Sequence, residues 1–320
     1  MIPRRDVAGW LSKALLIGGI GSTGLLKSRA AGRSEQEPDY TIRTTSRLVL
    51  LDVSVRDTVG GFVSGLTQEN FKVFEDGKPQ PITQFGAADT PVTVGIAVDE
   101  SGSMRSKRME VIAAALEFIR SSNPQDEIFV VNFNEKARRG LPDMVPFSDN
   151  INELNAALWR GVPEGRTALY DAIEMSLRQL EMGRRDRKTL VVISDGGDNV
   201  STNKFSDVMR DVLASLTTIY TVGIFDEDDP ERNPGVLKHL AQVSGGVAYF
   251  PKTLSEVVPA CRQIAKDIRE RYTLGYIPPD RGKAVRRVKV EASAAGHAKL
   301  ILRYRGTYAY AEQSEASNRK

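Results

Sequence analysis

Three short segments gather the side chains whose types and spacing could do chemistry. Asp99-Glu100-Ser101-Gly102-Ser103 alternates a carboxylate and two hydroxyls, so one tight loop can aim several oxygens inward while Gly102 eases the backbone. Gly165-Arg166-Thr167-Ala168-Leu169 offers a third hydroxyl, and Ser194-Asp195-Gly196-Gly197-Asp198-Asn199 offers a second carboxylate. Asp99, Asp195, Ser101, Ser103 and Thr167 together form a hard, oxygen-only donor set, suited to Mg²⁺, Mn²⁺ or Ca²⁺ and poorly suited to zinc. Mg²⁺ takes about six oxygens and keeps water in some positions. Neutral hydroxyls leave such a cation under-neutralised, and an open position then attracts a carboxylate from a partner. Each residue also has a plainer reading. Ser101 or Ser103 could cap the following helix, Thr167 could cap its own, and Asp195-Gly196 could be only a turn.

Composition removes several other chemistries. One cysteine, Cys261, leaves no internal disulfide framework and no thiolate zinc cage, and two histidines, His239 and His297, leave little for a histidine site. Cys261 falls on an apolar stripe and reads as core. No Gly-x-x-x-x-Gly-Lys-Ser/Thr phosphate loop and no Gly-x-Ser-x-Gly nucleophile elbow occurs. With 320 residues, 41% hydrophobic and 27% charged, the chain is long enough for more than one core and unlike a disordered, coiled-coil or multi-span membrane protein.

The three segments need elements that bring them together. Val92–Val98 is a nearly continuous apolar run, as in a strand covered on both faces. A helix follows, with Met109, Ile112, Ala113, Leu116 and Ile119 spaced for one face. Strand patterns at Glu127–Phe133, Thr189–Ile193, Thr218–Phe225 and Val247–Phe250 alternate with helical patterns at Ile151–Trp159, Leu169–Leu180, Phe205–Leu216 and Pro234–Val243. A last helix is expected over Ser255–Arg271, with Pro259 in its first turn or at a kink. This alternation predicts an α/β fold with a doubly wound, mostly parallel sheet. In such a sheet the loops leaving the carboxyl ends of the strands share one edge, where ligands bind.

In that frame the three segments resemble the metal-ion-dependent adhesion site of von Willebrand factor type A domains. Asp99, Ser101 and Ser103 match the family's Asp-x-Ser-x-Ser element, Thr167 its threonine and Asp195 its second aspartate. The resemblance implies that Ser101, Ser103 and Thr167 ligate the cation through hydroxyls, with Asp99 and Asp195 acting directly or through water. It covers about residues 90–270 and implies a non-enzymatic adhesion or assembly module that captures a partner's Asp or Glu carboxylate. A structural envelope protein whose metal only stiffens loops is the alternative, and a metal-dependent hydrolase a further one.

Alternating patterns flank this region. Arg47–Arg56, Asn70–Glu75 and Ile82–Phe85, with a turn at Asp76-Gly77, place a small β segment at 40–88. Tyr272–Ile277, Arg287–Ala292 and Lys299–Tyr304 place a second at 272–310, expected to pack with the first as a small β-sandwich-like domain. Asn70–Gly77 and Tyr272–Tyr276 resemble a subgroup of exported bacterial proteins with this domain. Residues 31–39 read as a linker and 311–320 as a disordered tail.

The net charge of +3 suggests an anionic partner only until it is located. Arg4, Arg5, Lys13, Lys27 and Arg29 stand against Asp6 alone in residues 1–30, and the remainder is slightly acidic. That segment reads as an export signal. Arg4-Arg5 precede a glycine-rich apolar stretch from Trp10 to Leu26 that is short for a membrane span, and Ser28-Arg29-Ala30 supplies small residues for cleavage. The paired arginines resemble a twin-arginine signal, implying a periplasmic or extracellular protein without a stable membrane span after signal removal. The basic loop Arg184–Lys188 lacks interleaved aromatics and gives no support for nucleic-acid binding. The acidic loop Asp226–Asp229 reads as a solvated loop, or a collector of a second cation. Glu100 is expected to face solvent or a neighbouring helix, and Asp198 to make a turn or tune the loop.

Overall fold

The computed structural model describes residues 48–87, 89–225, 229–279 and 282–310. The expected export signal, linker, tail and residues 226–228 of the acidic loop lie outside the described residues.

In chain order the strands and helices are β1 (Val49–Arg56), β2 (Phe71–Glu75), β3 (Lys78–Gln80), β4 (Gln84–Gly86), β5 (Thr93–Asp99), α1 (Arg108–Ser121), β6 (Glu127–Phe133), β7 (Ala137–Arg139), α2 (Ile151–Trp159), α3 (Leu169–Glu181), β8 (Lys188–Ser194) and α4 (Phe205–Ser215). They continue with β9 (Thr218–Gly223), α5 (Pro234–Ser244), β10 (Ala248–Tyr249), α6 (Val257–Arg269), β11 (Arg271–Tyr276), β12 (Val285–Ala292), β13 (Ile301–Arg303) and β14 (Thr307–Ala309).

The central sheet has the order β10-β9-β8-β5-β6-β7. Its strands are parallel except β7, which returns antiparallel on the edge of β6. Every residue of β5, β6 and β9 is buried, so apolar runs rather than alternation specify them, as in a sheet covered on both faces. Val94, Ile96, Val98, Val130, Leu190, Val192 and Ile219 from the strands join Phe118, Leu158, Ile173, Leu237 and Ile264 from the helices in one core. Cys261 is in it, fully buried, and burial pushes its thiol up to about 12. The predicted doubly wound sheet is the observed one.

The buried face of α1 differs from the sequence expectation. Val111, Ile112, Ala114, Ala115, Phe118 and Ile119 point inward, while Met109 is 63% exposed. A 3₁₀ turn over Gly102–Lys107 precedes α1 and sets its phase, and the helix packs against both α6 and α2, so the apolar face is wider and rotated. Pro259 sits in the first turn of α6, where its missing N–H costs nothing.

Two further four-stranded sheets flank this layer, in the orders β13-β1-β11-β4 and β14-β12-β2-β3. Strands distant in sequence pair directly. Val49 to Ser54 lie antiparallel to Tyr276 to Arg271, and Phe71 to Glu75 lie antiparallel to Ala292 to Val288. Leu51, Val53, Val55, Val73, Tyr272, Leu274 and Val290 share a second hydrophobic core between these sheets. One residue separates α6 from β11, so the last helix of the α/β layer feeds straight into the β layers.

Buried charges join the two cores. The Asp267 carboxylate on α6 accepts from Ser54 Oγ (2.9 Å), Arg56 Nη2 (2.8 Å), Tyr220 OH (2.6 Å) and Arg271 Nη2 (3.0 Å). Burial alone would raise this carboxyl, but the Arg271 charge and the Tyr220 and Arg56 hydrogen bonds outweigh it and hold it well below the usual range. Arg187, in the basic loop Arg184–Lys188, is 3% exposed and pairs through Nε with Asp52 Oδ1 at 3.0 Å. In the β layers Glu75 accepts from Arg286 Nη1 and Tyr276 OH, each at 2.8 Å, and from Tyr308 OH at 2.5 Å.

Candidate metal centre

Asp99 ends β5 and Asp195 follows β8, two strands that lie side by side. Both carboxylates are 2% exposed. Asp99 accepts from the Ser101 backbone N–H at 2.9 Å and from Ser194 Oγ at 2.6 Å, so each of its oxygens has a protein donor. Asp195 accepts from Gly197 N–H at 3.0 Å on one oxygen and from Ser103 Oγ at 2.5 Å on the other. Ser101 Oγ lies 3.1 Å from Ser103 Oγ. A hydroxyl carries one hydrogen, and Ser103 gives its own to Asp195, so Ser101 donates to Ser103.

The plainer readings of the serines and the threonine do not hold. Ser101 sits at the N-cap position of the 3₁₀ turn but makes no side-chain cap bond, and the N-cap of α3 is Ala168, not Thr167. Thr167 is 5% exposed and is held by its backbone: its N–H donates to Asn199 Oδ1 at 2.9 Å, and its carbonyl accepts from Asn199 N–H at 3.0 Å. Gly102 N–H donates to Gly165 O at 3.0 Å, tying the first loop to the second. The three segments thus form one stitched cluster of loops, with Asp99, Ser101, Ser103, Thr167 and Asp195 all within it. The turn reading of Asp195-Gly196 is correct for the backbone, since Gly196 has φ +82, yet it leaves the carboxylate facing Ser103.

Electrostatics favour a cation here. Burial and the neighbouring Asp195 carboxylate raise the Asp99 carboxyl well above the usual carboxylate range. Two buried carboxylates that repel each other, surrounded by hydroxyls, would be relieved by a divalent ion. Among the described residues no three His, Cys, Asp or Glu side chains gather as a metal site, so an ion at this place would need the hydroxyl oxygens.

Glu100 departs from its exposed alternative. It is 2% exposed and faces α1, 3.6 Å from Arg108 Nε, and burial raises its carboxyl while Arg108 partly counters this. Asp198 accepts from Tyr170 N–H (3.2 Å) and Ser201 Oγ, which ties the third loop to the start of α3. Asn199 was not singled out from the sequence. It holds Thr167 and donates through Nδ2 to Glu231 Oε2 at 2.6 Å, and an Asn three residues after Asp-Gly carries no local signal of that role. His239 lies against the Phe205 ring, 5.8 Å between centroids.

A doubly wound sheet with an oxygen-lined loop cluster at the carboxyl ends of β5 and β8 defines the class of α/β domain to which these residues belong. Residues 94–197 match the von Willebrand factor type A domain family, and the chain carries a domain of that family. An uncharacterized protein of Synechocystis, sll0103, is 26% identical over 180 residues, covering 54% of this chain and 41% of its own length. The chain therefore spans about two fifths of that curated relative. The von Willebrand factor type A protein of Catenulispora acidiphila has the same fold at 17% identity, with a TM-score of 0.50 over 87% of this chain and 78% of its own. Proximal thread matrix protein 1 of the mussel byssus, solved with a zinc-occupied MIDAS motif, aligns at 14% identity over 57% of this chain and 48% of its own, with a TM-score of 0.47.

Proposed function

We propose that the chain is a non-enzymatic, divalent-cation-dependent protein-binding module. Asp99, Ser101, Ser103, Thr167 and Asp195 hold the cation, and a partner's Asp or Glu carboxylate completes its shell. The observation that carries this reading is the Ser101–Ser103–Asp195 hydrogen-bond chain set against Asp99, in which buried Asp99, Asp195 and Ser101 meet the exposed hydroxyl of Ser103 at one strand edge. This donor set favours Mg²⁺, with Mn²⁺ and Ca²⁺ as close substitutes. In the same reading Asp99, whose two oxygens already have protein donors, acts through water.

The proposal extends to location. Arg4-Arg5 and the apolar stretch after them support export, by a twin-arginine-type signal over 1–30, to the periplasm or beyond. Among the described residues no helix is long and apolar enough to cross a membrane. The partner in this reading is a protein presenting an acidic side chain, in adhesion or envelope assembly. Nucleic acid is not a partner in it.

Isothermal titration of chelator-treated protein with Mg²⁺ and Mn²⁺, beside the Asp99→Ala variant, tests the centre. One-site binding that the variant loses supports the reading. No binding to the parent chain, or equal binding to both, would sink it.

A further inference from the structure

A cavity of about 290 Å³ opens beside the candidate metal centre, between the ends of β5 and β6 and the segment after α2. Its lining is chemically two-ended. Glu100 and Asn132, 2% and 6% exposed, both line it. Neither Glu100 oxygen has a hydrogen-bond partner, and neither does Asn132 Oδ1. Arg108 Nε lies 3.6 Å from Glu100, and its guanidinium already donates to Gly161 O at 2.5 Å and Trp159 O at 3.2 Å. The Asn132 amide is fixed by its own Nδ2, which donates to Ala157 O at 2.8 Å, and this leaves Oδ1 buried without a donor. Three buried acceptors without donors mark a place where a donor is wanted.

The other end is basic. Arg138, Arg139 and Arg160 line the same cavity, all exposed, and none has an ion pair among the described residues. Gly161 keeps the shape of the wall: a Cβ there would lie 2.5 Å from Glu100 Cδ. A simple anion would meet the Glu100 carboxylate, and a simple amine would leave the arginines without a counter-charge. Ligand pockets commonly begin near about 300 Å³, so a molecule of only a few carbons suits this one.

We propose that this cavity is a binding site for a small zwitterion, an amino carboxylate. Its ammonium donates to Glu100 and Asn132, and its carboxylate meets the guanidinium groups of Arg138, Arg139 and Arg160. The site uses none of the five candidate metal ligands, so it stands apart from the cation reading and is tested in chelator.

The experiment is isothermal titration of the full chain with glycine, 4-aminobutyrate and 6-aminohexanoate, using butylamine and butyrate as single-ended controls. At least one zwitterion should bind tenfold or more tightly than both controls. Glu100→Gln should weaken that binding at least tenfold. The combined Arg138→Ala, Arg139→Ala and Arg160→Ala variant should do the same, and these side chains are exposed, so the fold does not depend on them. A thermal melt confirms that each variant folds, and the arginine variant decides the matter if Glu100→Gln does not. No zwitterion binding, controls that bind equally, or a folded arginine variant with unchanged affinity would each overturn the proposal.

Discussion

Replacing Asp267 with Asn tests how the two hydrophobic cores are held together. The parent carboxylate is fully buried and accepts from Ser54, Arg56, Tyr220 and both Nε and Nη2 of Arg271, whose side chain is 1% exposed. Asn keeps the volume but removes the charge and turns an N–H₂ toward donors. Breaking a buried ion pair from one side typically costs about 3–5 kcal/mol, because the remaining charge stays buried without its counter-charge. Arg271 retains the Gly245 carbonyl at 2.8 Å and the Asp52 carbonyl at 3.2 Å, so the lower end, about 3 kcal/mol, is expected. Whole domains hold only about 5–15 kcal/mol, so the loss should be plain in urea unfolding followed by circular dichroism at pH 7. The pH dependence has a definite sign. The folded carboxyl is held below its unfolded value of about 3.9, so its contribution is full above that pH and is lost as the pH falls toward the folded value. The gap between parent and variant should therefore narrow below about pH 4. A gap under about 1 kcal/mol at pH 7, or one that stays constant into acid, would refute this account.

Asp99→Ala should abolish Mg²⁺ and Mn²⁺ binding while circular dichroism remains that of the parent chain, because the site lies at a loop edge and not within either core; global unfolding would count against this. Gly196→Ala forces a side chain into a φ of +82 with its Cβ 2.4 Å from Asn233 O, so it should weaken cation binding and cost at least about 1–3 kcal/mol in unfolding experiments. Cys261, fully buried with its thiol pushed up to about 12, should resist iodoacetamide in the native protein and react only in denaturant, as mass spectrometry would show. Glu75→Ala should destabilise by about 3–5 kcal/mol in the same urea assay, since it strands Arg286 and leaves Tyr276 and Tyr308 without their acceptor.

Much of the α/β layer was legible because its signals are local. Nearly continuous apolar runs such as Val92–Val98 need no neighbour to be recognised as covered strands, and α2 falls on Ile151–Trp159 as its pattern predicts. The phase of α1 was not legible, because the 3₁₀ turn before it and the second helix packed against it fix which residues face inward. β7, β3 and β14 have three residues each, too short for a periodic signal. Four of the five oxygen-bearing candidates could be named from the sequence because Asp-x-Ser-x-Ser and Asp-Gly-Gly are compact, whereas Thr167 was picked out through the family resemblance.

The sequence by itself determined the alternation of strands and helices and the identity of the hard oxygen donors, since periodicity and side-chain chemistry are written residue by residue. Only the tertiary structure decided the hydrogen-bond order among Ser101, Ser103 and Asp195, and that Glu100 turns inward beside Arg108. It also brought Asp267 to Ser54 and Glu75 to Arg286, residues more than two hundred positions apart. Such pairings depend on where whole strands come to lie, and the free energy that places a strand is shared over its entire buried face. No single residue carries it, and no short stretch of sequence can announce it.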